Sequence, residues 1–196
     1  MFLIWIGMLW AGTVASLEEM TQGGPTMAAT CSSIRQTMEL AKEMGSNSPG
    51  ISKFSEFPSD LFNMDGPMSM AFWKEEKWIR FQFQSDLNLG DIAKKMVDTV
   101  VSQQPEGDGL IITDNKGEKV RIHKEGNLVW VESVGVSTGD AVLQGNLKKQ
   151  SAEVEDRPGC TMWMDMSQSP AASKVDGQLL LQIPFKQEDG IYFAMT

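Results

Sequence analysis

Chemistry has few places to start in this chain: one histidine, two cysteines, and methionines at every second position of one short run. His123 shares one side of its segment with Lys119 and Arg121, while Val120 and Ile122 share the other. A catalytic base needs an orienting acceptor and a nucleophile nearby, so two neighbouring cations favour a solvated surface histidine. A lone histidine also excludes sites built on several imidazoles, including most catalytic zinc sets. Gly107-Asp108-Gly109 precedes a strand instead of opening a helix, so it is not a phosphate loop. No Gly-x-Ser-x-Gly elbow occurs. Carboxylates gather near turns, at Asp65, Glu75, Glu76, Asp86, Asp165, Glu188 and Asp189, where solvated turn residues are the ordinary reading. The expectation is a domain that binds rather than catalyses, with no cofactor.

The two cysteines are Cys31 and Cys160. Each falls on the apolar side of its own expected element, Cys31 on a helix and Cys160 on a strand. Two such residues can join in an oxidising compartment, and a Cys31–Cys160 disulfide is expected there. The bland reading is two separate buried thiols.

Met162, Met164 and Met166 alternate along one run, and Met68 and Met70 repeat the spacing on another. Thioethers are soft ligands that suit Cu(I). Alternating methionines are equally what a packed sheet face looks like, and packing is the favoured reading.

A second surface is more promising. Alternation places Trp73, Trp78, Arg80, Gln82, Gln84, Arg121, His123, Trp163 and Tyr192 on the side of the sheet away from the expected helices. Of these, Trp73, Trp78, Arg80, Gln82, Trp163 and Tyr192 are the expected ligand-binding set. Trp beside Gln and Arg suits a protein partner or a glycan. The alternative function is an extracytoplasmic carrier of an apolar ligand or of Cu(I).

The elements that must position these residues follow from periodicity. Met27, Cys31, Ile34, Met38 and Ala41 recur at helical spacing after Thr26, and Gly45 is a natural stop. Positions 46–67 are rich in breakers and read as a loop. Met68–Gln84 reads as a hairpin turning at 74–77. Asn88–Gln104 reads as the strongest helix, capped by Asn88 and ended by Pro105. Gly109–Val134 is a three-strand meander, with turns at Asp114–Gly117 and Glu125–Asn127 where Asn, Asp and Gly suit tight hairpins. Ser137–Gln150 is a weaker helix. Cys160–Ser167, Gln178–Phe185 and Ile191–Met195 are strands. Hairpins outnumber crossovers, so the expected class is α+β, a largely antiparallel sheet of about eight strands with two to three helices on one face.

The totals limit partners and compartment. The chain has 196 residues, 41% hydrophobic and 22% charged, with a formal net charge of −9. An acidic surface repels phosphate backbones, so nucleic acid is not expected as a partner. Met1–Ser16 carries no charged side chain and ends in small residues, Thr13-Val14-Ala15 fitting a cleavage site. Residues 1–16 are expected to be a signal peptide, or an uncleaved N-terminal anchor, and 17–196 a single α+β domain. Export to the periplasm or the exterior follows, with membrane contact only if the anchor is kept.

Overall fold

The computed structural model describes residues 14–43, 58–74, 78–96, 100–136, 139–143, 145–168, 177–186 and 189–195. Ten strands form one antiparallel sheet. In chain order they are β1 (Met27–Cys31), β2 (Met68–Trp73), β3 (Trp78–Gln84), β4 (Val100–Glu106), β5 (Gly109–Asp114), β6 (Lys119–Glu125), β7 (Leu128–Ser133), β8 (Gly159–Asp165), β9 (Gln178–Pro184) and β10 (Tyr192–Met195). Across the sheet the order is β10-β9-β8-β1-β2-β3-β7-β6-β5-β4. Among the described residues four α-helices accompany it: α1 (Leu17–Met20), α2 (Ile34–Glu43), α3 (Leu89–Met96) and α4 (Gly145–Glu155). The class is α+β, as expected.

Local chemistry accounts for most boundaries. The meander turns as its Gly residues dictate: Gly117 and Gly126 sit at φ 81° and 60°, where a side chain would strain the backbone. Asp114 Oδ1 accepts from the amides of Lys116 and Glu118 and closes the first of these turns. Asn88 Oδ1 accepts from the Asp91 amide, capping α3. Ser16 and Glu19 form a reciprocal capping box that starts α1. Pro105 lies on β4, an edge strand, where a missing amide breaks no ladder.

Two expected helices are partly strands. Met27–Cys31 is β1, and helix begins only at Ile34. The second helix stops at Met96, and Val100–Glu106 is β4. The cause is one ambiguity: a spacing of four keeps two residues on the same face of a helix and of a strand alike. Met27 with Cys31, and Met96 with Val100, fit both periods. These two segments raise the strand count from about eight to ten. The third helix starts at Gly145 and not Ser137.

The helices lie on both faces of the sheet, not one. Ile34 of α2 and Ile92 and Ala93 of α3 join Phe81, Phe83, Ile112, Ile122, Val129 and Val131 in one buried cluster. Leu17 and Met20 of α1 and Leu147 of α4 join Ala28, Ala71, Trp73, Trp163 and Leu180 in a second cluster on the opposite face. On the first face α3 packs over β5 and β6 and α2 packs over β8; on the second, α1 and α4 pack over β1, β2, β8 and β9. On the second face the helices gather at the β1, β2, β8 and β9 side, away from β6 and β7.

Candidate functional site

The second face carries a polar row. Through directly paired residues, Tyr192, Gln182, Thr161, Thr30, Ser69, Gln82, Trp130 and His123 follow one another across eight strands. Along the next row Arg80, Glu132 and Arg121 are paired in the same way. Among the described side chains, Arg80, Gln82, Arg121, His123 and Tyr192 of the expected set share this face. What differs is how much of that face meets solvent.

The half under α1 and α4 is core. Trp73 and Trp163 are 5% and 1% exposed, so the expected indole surface is corrected: these rings pack in the second buried cluster. Trp73 Nε1 donates to the Gly23 carbonyl and Trp163 Nε1 to Gln178 Oε1, so each indole has its partner indoors. Tyr192 packs against the same cluster at the sheet edge. The Trp78 side chain lies outside the described residues. Ser69 and Gln182 are buried with Ser69 Oγ and Gln182 Nε2 unpartnered among the described residues. Helices were expected on the other face alone, and α1 with α4 is what turned these aromatics inward.

The other half is an open groove of about 1340 Å³. Its floor includes Arg80, Gln82, Arg121, His123, Trp130 and Glu132, and its far wall is Val14, Ala15, Ser16, Glu18 and Glu19 with Glu155 and Asp156. His123 and Trp130 lie side by side, ring centroids 5.4 Å apart and tilted by 43°. Both are half-buried. Arg121 joins two carboxylates, Glu132 at 3.0 Å and Glu106 through a paired contact. Those bonds raise the Arg121 pKa and hold the Glu106 carboxyl below the usual carboxylate range. Arg80 lies 3.5 Å from Glu132 and stacks over the Trp73 ring, its carbon 5.5 Å from the centroid. The expected pair Arg80 and Gln82 is therefore on the groove floor. Trp130 and Glu132 are the floor residues that sequence reading passed over. Their alternation with Val129 and Val131 on the meander was the available signal.

The groove wall is held by side-chain acceptors. Gln82 Oε1 accepts from the Ala15 amide at 2.7 Å, and Glu155 Oε1 accepts from the Leu17 amide and from Thr30 Oγ1. Burial pushes the Glu155 carboxyl up, opposed by its bonds to Leu17 and Thr30 and aided by Asp156 and Glu19. A carboxyl raised in a cleft can act as a general acid. Here the same oxygen fastens α1 to the sheet through Leu17 and Thr30. No group of three or more His, Cys, Asp or Glu that could hold a metal ion occurs among the described residues.

Cys31 and Cys160 are joined, with Cα atoms 4.2 Å apart on the paired strands β1 and β8. The expected partners are as read, but Cys31 sits on a strand. Met162 and Met164 share the first face with this bridge, whereas Met166 opens a 3-10 turn and leaves the alternation.

No family model and no curated protein matches this chain. Among solved structures it is similar to TP0453 in crystal form IV, at 9% identity and TM-score 0.52, over 93% of this chain and 80% of that one. Crystal form I of the same protein gives 8% identity and TM-score 0.52, over 95% and 79%. Likeness at this level speaks for the fold alone.

Proposed function

We propose that the protein is an extracytoplasmic, non-catalytic binding domain whose open groove takes a polar macromolecular partner, a protein segment or a glycan. The observation that carries this reading is the Trp130–His123 pair on the floor of an open groove of about 1340 Å³. Flat half-buried rings offer stacking, and the imidazole adds hydrogen bonding. Charge narrows the choice. The lining holds Glu18, Glu19, Glu125, Glu132, Glu155 and Asp156 against Arg80 and Arg121, and both arginines already contact Glu132. Such a lining favours a partner segment bearing basic groups over an anionic one. Export is supported by the Cys31–Cys160 bond, and the charge-free opening segment fits the uncleaved anchor, since Val14, Ala15 and Ser16 belong to the groove wall. Among the described residues no helix is long and apolar enough to cross a membrane.

The test is binding of the full chain to arrayed Lys- and Arg-containing peptides and arrayed glycans, with Trp130→Ala/His123→Ala as comparison. The expected result is a ligand class retained by the wild type and lost by the double variant at unchanged melting temperature. Equal binding by both proteins, or none by either, overturns the reading.

A further inference from the structure

The first face carries a second candidate site, independent of the groove, where β8, β1 and β2 lie side by side. The strand register gathers methionines that are far apart in sequence. Ala29 of β1 lies directly between Met162 of β8 and Met70 of β2. Two residues back along β1, on the same face, Met27 stands directly opposite Met164. Directly opposed side chains have Cβ atoms about 5 Å apart and diagonal ones about 7–8 Å, within reach of long side chains. Met27 is opposite Met164 and diagonal to both Met162 and Met70. Four flexible thioethers thus ring the short Ala29 side chain.

A packed core is the competing explanation, and the described core clusters engage these side chains only in part. Met27, Met70, Met162 and Met164 are all half-buried. Met27, Met162 and Met164 belong to neither buried cluster, and only Met70 packs against one. Among the described residues the two buried clusters thus engage one of the four side chains.

We propose that Met27, Met70, Met162 and Met164 form a binding site for a soft monovalent cation, Cu(I) or its analogue Ag(I), above Ala29. Thioether sulfur is a soft, neutral donor that selects such ions over hard divalent ones. The adjacent cysteines are tied in a disulfide, so no thiolate competes for the ion. Neutral thioethers do not titrate, and binding requires no proton release. Met166, expected in such a set, is replaced by Met27 and Met70, which only strand pairing brings alongside.

The experiment uses the full, disulfide-intact chain and Ag(I) as an air-stable probe, with anaerobic Cu(I) in competition against a chromophoric Cu(I) chelator. Methionine-methyl NMR on wild type needs no variant: of 14 methionines, the resonances of these four are expected to move on Ag(I) addition. Met27→Leu and Met164→Leu are each expected to weaken Cu(I) retention by about tenfold or more, since each removes one donor from a small soft-ligand set. Met166→Leu is expected to leave retention unchanged. Leucine matches methionine in volume closely enough to keep the fold. Shifts confined to other methionines, retention unchanged in the leucine variants, or uptake only after disulfide reduction each overturn the proposal.

Discussion

Cys31 and Cys160 face each other across the β1–β8 ladder, 129 residues apart in sequence and bonded in space. Each strand has a second neighbour, β2 beside β1 and β9 beside β8, so the bridge sits well inside the ten-strand sheet. The ladder already places the two strands together in the folded state. The bond therefore acts chiefly on the unfolded chain, by closing a long loop.

Cys31→Ser/Cys160→Ser is expected to fold and to be less stable, by about 4–5 kcal/mol at most on the chain-entropy account. Denaturant midpoints with and without reductant check the magnitude. Unreduced wild type is expected to be two hydrogens lighter than reduced protein and to take no alkylating label under denaturing conditions.

The division of one sheet face into core and groove predicts unequal tryptophans. Trp163→Ala removes a ring that is 1% exposed and is expected to cost about 3–5 kcal/mol, as for other buried aromatics. Trp130→Ala removes a half-buried ring from an open groove and is expected to cost about 1 kcal/mol or less. Chemical denaturation of both variants checks the order. A reversal would place the groove floor in the core.

Two carboxylates are expected to act on acid stability with opposite sign. Glu155 is raised in the folded state, so the fold binds its proton more tightly than the unfolded chain does. Its contribution grows less favourable as pH rises from the ordinary carboxylate range through the raised folded value, and Glu155→Gln removes that fall. Glu106 is lowered by Arg121, so its contribution is present above the ordinary carboxylate range and is lost as pH falls through the depressed folded value. Arg121→Gln removes that loss. Stability measured from acid to neutral pH for wild type and both variants checks the two signs, which must differ.

The sequence by itself determined the class, the hairpins and the faces. The Met68–Gln84 hairpin, the Gly109–Val134 meander and the last three strands are all where alternation and turn residues put them. A period of two is a local property, and Gly117 and Gly126 fix their turns without help from distant residues. For the same reason Arg80, Gln82, Arg121, His123 and Trp163 could be assigned to one face in advance.

Only the tertiary structure decided what covers each face. Whether Trp163 is core or surface depends on where α1 and α4 dock, and no spacing within Cys160–Ser167 carries that information. Whether Met27–Cys31 is helix or strand was likewise undecidable locally, because four residues suit both periods. Flanking strands β2 and β8 offered it backbone partners on both edges. That long-range pairing put Met27 beside Met164 and Cys31 beside Cys160, and helix packing at the β1, β2, β8 and β9 side left the Trp130–His123 floor open.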